Sequence, residues 1–155
     1  MGKKLGRRIQ KRSMDSGPVE GVGAFIYSVS THRYLFLLRA NCRYSGTWGL
    51  AGGKIESGEL LLDSLQREVN EELGVDISSA KVIPIEKFTS DKNNFVYHTF
   101  LLPVQEEFIP TLNEEHNGYC WVSLENHPKP LHPGVWRTIN FKEIVSKIKT
   151  LESVL

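Results

Sequence analysis

Six carboxylates and one arginine are concentrated in the segment that runs from Gly53 to Val75, GKIESGELLLDSLQREVNEELGV. At about 100° per residue along a helix, Glu68, Glu71 and Glu72 occupy one arc beside an apolar face. Like charges at this spacing cost about 0.2–0.5 kcal/mol per pair in an isolated helix, and a bound cation would offset that repulsion. The pattern therefore predicts a cation site, although an ordinary solvated helix face can have the same composition.

The type of ligand selects the ion. Carboxylate oxygens are hard ligands, so we expect Mg²⁺, with Mn²⁺ able to substitute, rather than Zn²⁺. Mg²⁺ commonly links carboxylates to a substrate phosphate, where it activates water for hydrolysis. Motifs for other chemistries are missing from the sequence: the five histidines form no H-E-x-x-H, and Gly52-Gly53-Lys54 lacks the spacing of a P-loop.

The elements that must position these residues follow from hydrophobic periodicity. Strands are predicted over residues 20–30, 33–39, 82–89, 95–104 and 119–124, with a glycine-rich loop and short strand over 41–54. A helix is predicted from Glu59 to Leu73, with Ser57 as its N-cap and Gly74 as its left-handed C-terminal residue. A second amphipathic helix is predicted from Phe141 to Leu151. Strands interspersed with two helices favour a sheet covered by helices.

The acidic segment resembles the Nudix box, G-x5-E-x7-R-E-U-x-E-E-x-G-U, where U is a bulky aliphatic residue. All nine specified positions are filled, by Gly53, Glu59, Arg67, Glu68, Val69, Glu71, Glu72, Gly74 and Val75. The order of elements outside the box is also similar to that of a Nudix domain. The resemblance implies an α/β Nudix fold, in which a mixed β-sheet is sandwiched between α-helices and the box forms a loop–helix–loop.

The resemblance also implies roles for the residues of the box. Glu68, Glu71 and Glu72 would hold the cations, together with the main-chain carbonyl of Gly52. Four positions would support the site structurally: Gly53, Glu59, Arg67 and Gly74. Arg67 would orient the helix carboxylates, and Glu59 would tie the loop to the helix.

A further acid is expected outside the box. Glu115 lies six residues before Trp121, and many Nudix enzymes have a glutamate at this offset that supplies a metal ligand or the general base. Glu114 is an adjacent competitor. Glu68 and Glu115 therefore both stay open as the general base.

Three residues are weaker candidates for binding the substrate. Lys54 follows Gly53 in WGLAGGK, in which Ala51 stands where the family commonly has Pro, and could pair with a phosphate. Arg39 ends a predicted strand and could do the same. Tyr119 belongs to a run, Glu115-His116-x-x-Tyr119-x-Trp121, that resembles a pattern in dinucleoside polyphosphate and some nucleotide-sugar hydrolases.

Composition and charge limit the remaining choices. Six cations and no anion occur in the first twelve residues, which leaves 13 Lys and Arg against 18 Asp and Glu in the rest. We expect residues 1–17 to be a basic arm and connector, and residues 18–155 to be the Nudix hydrolase domain. The arm could bind RNA or be a solvated tail. The apolar runs are too short to span a bilayer, no signal peptide is recognisable, and no C-x-x-C pair occurs, so we expect a cytoplasmic protein. No feature of the sequence specifies an oligomeric state.

The resemblance implies a Mg²⁺-dependent hydrolase that cleaves the diphosphate bond of a nucleoside diphosphate linked to another group, of the dinucleoside polyphosphate, ADP-ribose or nucleotide-sugar type. Two enzymatic alternatives stay open: a nucleoside triphosphate pyrophosphohydrolase of the (8-oxo)-dGTP sanitising type, and an RNA 5′-end pyrophosphohydrolase. A catalytically silent nucleotide- or RNA-binding module is the non-enzymatic alternative, and the complete set of box carboxylates argues against it.

Overall fold

The computed structural model of the protein describes residues 17–155. The predicted arm, apart from Gly17, lies outside the described residues. Within the described residues, seven strands and three α-helices follow one another: β1 Val19–Ser28, β2 Arg33–Arg39, β3 Trp48–Gly49, β4 Ala51–Lys54, α1 Leu61–Leu73, β5 Ile83–Thr89, β6 Phe95–Val104, β7 His116–Val122, a short 3₁₀-helix Leu124–Asn126, α2 Pro133–Ile139 and α3 Lys142–Glu152.

The strands form one mixed sheet. Its main path runs β3-β2-β1-β6-β5, while β4 pairs with β1 and β7 pairs with β2. β1 and β6 are parallel over ten residue pairs, and the other pairings are antiparallel. This arrangement confirms the predicted mixed sheet.

Alternation along the central strand β1 explains why helices cover both faces. Val22 and Ala24 point into a core that includes Leu65 and Val69 of α1. Phe25 and its neighbours on the opposite face pack in a second core with α2 and α3. Because strand residues alternate between faces, a strand that is apolar throughout is buried on both sides. The predicted sandwich of a sheet between helices is therefore confirmed.

Helix α1 differs from its prediction at one end. It starts at Leu61 with Leu60 at the N-cap and no side-chain capping bond, so the prediction of Ser57 as N-cap is wrong. The preceding turn, with Gly58 at φ 78°, separates Ser57 from the helix. At the other end Gly74 has φ 71° and its N–H donates to the Asn70 carbonyl, which confirms the predicted left-handed terminus.

Two other elements differ from prediction. Strand β7 begins at His116 and ends at Val122, because its pairing with β2 extends to Arg39 through an irregularity in register after Leu38. Helix α2 was not predicted, since its seven residues are too few for a helical period to be recognised. Among the described residues, no helix is both long enough and apolar enough to cross a membrane.

Candidate active site

The glycines of β4 bring the chain close to helix α1. The N–H of Gly52 donates to both carboxylate oxygens of Glu72, at 3.3 and 3.2 Å. A β-carbon on Gly53 would lie 2.5 Å from each carboxylate oxygen of Glu68. A side chain at position 53 would have to displace this carboxylate, so glycine at this position lets α1 pack under β4 with Glu68 in place. At Gly52 a β-carbon would clash with the Val22 carbonyl oxygen of β1.

Arg67, in the middle of helix α1, binds the loop that precedes the helix. Its Nε and Nη2 donate to the two carboxylate oxygens of Glu59 at 2.8 and 3.0 Å, and Nη2 also donates to the Lys54 carbonyl at 3.1 Å. Its Nη1 donates to Glu68 at 2.9 Å and to Glu71 at 3.4 Å. One guanidinium therefore joins the loop, the end of β4 and two carboxylates of α1. Such a fork of fixed donors suits arginine and not lysine.

The burial of the carboxylates is unequal. Glu72 is 1% exposed and Glu68 is 9% exposed, whereas the side chain of Glu71 is 52% exposed. Glu68 and Glu72 thus lie under β4, and Glu71 lies at the rim. The three carboxylates predicted to share one helix face therefore differ in exposure, from the buried Glu72 and Glu68 to the half-exposed Glu71.

Burial changes the proton affinity of the inner pair. Loss of hydration raises the pKa of Glu72 to about 9, and the charges of Glu68 and Glu115 add to that effect. Burial also raises the pKa of Glu68, against the lowering effect of Arg67. By contrast, hydrogen bonds from Arg67 hold the pKa of the partly buried Glu59 carboxyl at about 2. The protein therefore provides too little positive charge and too few hydrogen-bond donors to stabilise Glu68 and Glu72 in their ionised forms.

Glu115 belongs to the same group electrostatically. Its negative charge adds to the rise in the pKa of both Glu68 and Glu72 that burial causes. The loop before β7 is tied to the end of β2 by the Ala40 N–H, which donates to the Glu115 carbonyl at 2.8 Å. The Glu114 carbonyl accepts a hydrogen bond from the Asn41 side chain at 2.8 Å.

This donor set fits a hard divalent cation. Two buried carboxyl groups with raised pKa, a third at the rim and a fourth on a neighbouring loop supply oxygen ligands and excess negative charge. In residues 17–155 no three acidic, histidine or cysteine side chains already converge on a single point. The reason is visible in the hydrogen bonds, because Arg67 draws Glu68 and Glu71 to one side while Gly52 holds Glu72.

A cavity of about 480 Å³ lies beside these residues, on the face of the sheet that carries α2 and α3. Gly52 and Gly53 line one part of it, so the glycines that contact Glu72 and Glu68 also border the cavity. Three aromatic side chains from β5 and β6 line another part: Phe88, Phe95 and Tyr97. The aromatic rings of Phe95 and Tyr97 are nearly parallel, 6.2 Å apart.

Three weaker candidates occupy different positions. Arg39 lines the cavity, and its guanidinium donates to the Arg43 carbonyl at 3.2 and 2.9 Å. Lys54 is exposed at the end of β4. Tyr119 is 37% exposed and pairs with Leu37 on the face of the sheet that packs against α1, away from the cavity. The structure therefore brings Arg39 to the cavity and leaves Tyr119 outside its lining.

Sequence reasoning missed the far wall of the cavity. This wall is formed by His132, Arg137 and Thr138 around helix α2, together with Phe88 and Tyr97 from the sheet. One signal was present, since residues 95, 97 and 99 alternate on β6 and therefore share a face. The residues of α2 gave no such signal.

The mixed sheet between helices, with a glycine loop leading into an acidic helix, defines a NUDIX domain. The model of that domain matches residues 17–141, and the chain belongs to the NUDIX family of hydrolases. Over 105 residues it is 30% identical to the nucleoside triphosphatase NudI of Escherichia coli, covering 60% of this chain and 74% of that one.

Solved structures agree on the fold. The MutT protein of Methanosarcina mazei is 26% identical with a TM-score of 0.67, over 86% of this chain and 98% of that one. The NUDIX domain of Shewanella oneidensis NrtR, solved with ADP ribose, is 17% identical with a TM-score of 0.68, over 87% and 90% of the two chains.

Proposed function

We propose that the protein is a Mg²⁺-dependent hydrolase that cleaves a phosphoanhydride bond of a nucleoside triphosphate. One observation carries this proposal: Gly52 and Gly53 contact the inner carboxylates and also line an aromatic cavity. A nucleotide whose base and sugar lie in the cavity would present its phosphates to Glu68 and Glu72. The similarity to a nucleoside triphosphatase supports the same substrate class.

The size of the cavity narrows the broader class predicted from the sequence. A volume of about 480 Å³ is within the range of pockets for a single small ligand. It suits one nucleoside with its phosphates, whereas a dinucleoside polyphosphate, ADP-ribose or a nucleotide sugar would extend its second group beyond the cavity. Among these nucleotide substrates, a nucleoside triphosphate has no second group that would need a binding site outside the cavity.

The residues of this chain would divide the work as follows. Glu68, Glu71, Glu72 and Glu115 would hold the cation, with the Gly52 carbonyl as a further ligand. When bound, a divalent cation neutralises phosphate charge and lowers the pKa of water. Arg67 would keep the carboxylates of α1 oriented through its fixed bonds to Glu59 and Lys54. Arg39 would stabilise the phosphate charge from the cavity side.

Glu68 and Glu115 are the two candidates for the general base. The raised pKa of Glu68 suits a group that accepts a proton near neutral pH. Glu115 lies on a loop outside α1 and could approach from the side opposite Arg67. Substitution by Gln separates the roles: loss of a ligand lowers kcat and also raises the Mg²⁺ concentration required for half-maximal rate, whereas loss of the base lowers kcat and leaves that concentration unchanged.

The direct test is product identity. Incubation with Mg²⁺ and a panel of nucleoside triphosphates, 8-oxo-dGTP, ADP-ribose, dinucleoside polyphosphates, nucleotide sugars and triphosphorylated RNA should give nucleoside monophosphate and pyrophosphate from a triphosphate. Glu71→Gln and Glu72→Gln should each lower kcat about 100-fold or more, since each removes a ligand charge. Asp63→Asn is the matched control, because Asp63 is exposed on the first turn of the same helix.

Two results would contradict the proposal. One is a lack of hydrolysis of every nucleotide with Mg²⁺ or Mn²⁺, which would indicate a binding module. The other is a kcat within a few-fold of wild type in Glu72→Gln at saturating Mg²⁺. A role of the basic arm in RNA binding stays a separate prediction, tested by comparing the full chain with one lacking residues 1–12 at low salt.

A further inference from the structure

The cavity has an uneven chemical character. Three side chains with nitrogen donors line it, namely Arg39, His132 and Arg137, and across residues 17–155 no carboxylate or carboxamide side chain lines it. The acceptors in its wall are hydroxyl and main-chain oxygens. Three aromatic rings complete the wall and provide flat surfaces for a planar ligand.

Arg137 is held rigidly at the end of the cavity away from the glycines. Its guanidinium lies over the ring of Phe88, 4.2 Å from the centroid, and its Nη2 donates to Glu86 at 2.8 Å. Within residues 17–155, Arg137 makes its side-chain hydrogen bonds through Nη2 alone, which donates to Glu86 and Thr138. Its Nε–H and Nη1–H donors are therefore available to a ligand, and stacking and pairing fix their direction in advance.

His132 adds a donor of defined tautomer. Its Nδ1 accepts a hydrogen bond from the Gly134 N–H at 3.0 Å, so in the neutral ring the proton is on Nε2. Burial lowers the pKa of His132, and the charges of Arg39 and Arg43 lower it further, which favours this neutral form. The Nε2–H is thus a second donor in the wall.

The two arginines of the cavity differ in position. Arg39 lies beside Gly49, where an added β-carbon would be 3.5 Å from Arg39 Cδ, and Gly49 is three residues before the glycines at the proposed phosphate end. Arg137 lies beside the aromatic rings of β5 and β6, where the planar base would rest. If the phosphates of a bound nucleotide lie near the carboxylates of α1, the edge of its base lies near the guanidinium donors of Arg137 at the other end of the cavity.

We infer that Arg137 selects nucleotides whose base presents a keto oxygen, rather than an amino group, to the far end of the cavity. This inference rests on the proposed function, because it assumes that a nucleotide occupies the cavity with its phosphates toward Gly52 and Gly53. A carbonyl accepts from the guanidinium, whereas an amino group at the same position turns its own donors toward those of the guanidinium and leaves both groups unpaired.

Two pairs of nucleotides isolate this difference. UTP and CTP differ at position 4 of the ring as keto and amino, and ITP and ATP differ in the same way at position 6. A hydrogen bond to a charged group predicts that kcat/KM of the wild type favours the keto member of each pair by at least about tenfold.

The test compares wild type with Arg137→Met, which keeps the apolar stem over Phe88 and removes the donors. The keto-to-amino ratio should fall to within about threefold of unity, through loss of rate on UTP and ITP. Arg33→Met is the matched control, because Arg33 also pairs with a glutamate, Glu107, at 2.6 and 2.7 Å but does not line the cavity. It should keep the wild-type ratio.

The double variant Glu86→Gln with Arg137→Met covers the case in which the single variant misfolds, since the Glu86 side chain is only 12% exposed. A wild-type ratio near unity, or a folded Arg137→Met protein that keeps the wild-type ratio, would overturn the inference. Calorimetric binding of the same four nucleotides in EDTA separates the two hypotheses. If no nucleotide is hydrolysed, the proposed function is wrong. Even then, a tenfold preference for keto nucleotides in Kd that is lost in Arg137→Met would support the selection of the base by Arg137.

Discussion

Replacing Glu72 by Gln should stabilise the metal-free protein. Glu72 is 1% exposed and its carboxyl has a pKa raised from 4.5 to about 9. A carboxyl whose pKa is higher in the folded than in the unfolded state destabilises the fold above the unfolded pKa. Each pH unit above that value costs about 1.4 kcal/mol until the folded pKa is reached. At pH 7 the cost is about 3 kcal/mol.

Glutamine removes this cost and keeps the hydrogen bond, because its amide oxygen can accept from the Gly52 N–H. The free energy of unfolding in EDTA should therefore rise by about 3 kcal/mol at pH 7 and by about 1 kcal/mol near pH 5.5, with no gain at or below pH 4.5. For a chain of this length, 3 kcal/mol corresponds to an increase in Tm on the order of 10 °C.

The assay is urea denaturation of wild type and variant in EDTA from pH 5 to pH 8. Glu71→Gln is the control, because its half-exposed side chain predicts a change below about 0.5 kcal/mol. A Glu72→Gln variant that is less stable than wild type, or a difference in stability that does not grow with pH, would refute the reasoning. Activity should change in the opposite direction, so this residue is expected to sacrifice stability for function.

Two further predictions concern the residues around the inner carboxylates. Gly53→Ala should lower kcat between about 10- and 100-fold, because the new β-carbon would lie 2.5 Å from the Glu68 carboxylate oxygens and displace them. Gly118→Ala is the control and should leave kcat unchanged, because its β-carbon would have ordinary contacts at 3.8 Å. Equal kcat values for the two alanine variants would contradict the close-contact argument. Arg67→Lys should lower the free energy of unfolding by about 1–2 kcal/mol and also lower kcat/KM, since lysine cannot reproduce the two-pronged pair with Glu59. Unchanged urea denaturation and kinetics would show that the guanidinium fork is dispensable.

The fold was largely predictable because it depends on periodic patterns. Strands such as β1 and β6 are long and apolar, and Gly74 is required by the left-handed geometry of the helix end, which leaves a trace in the sequence. The start of α1 was not predictable, because Glu59 is bound by Arg67 and the turn at Gly58 intervenes. Tertiary contacts, rather than the local preference of Ser57 for an N-cap, decide where that helix begins.

The candidate site divides in the same way. The acidic helix and Gly52 are brought together by fixed spacing within one loop–helix, so sequence can anticipate their proximity. The cavity wall combines residues 88, 97, 132 and 137, which are distant in the chain and meet only in the folded sheet. Arg137 in particular owes its position to Phe88 and Glu86 on another element, and no local pattern encodes such a contact.

The central claim is that the carboxylates of helix α1 bind hard divalent cations beside a nucleotide. The most direct measurement is binding of Mn²⁺ followed by electron paramagnetic resonance, with and without a non-hydrolysable nucleoside triphosphate. The account predicts uptake of Mn²⁺ by the wild type, tighter binding when nucleotide is present, and affinity at least about tenfold weaker in Glu72→Gln. A wild-type protein that takes up no Mn²⁺ under either condition would contradict it.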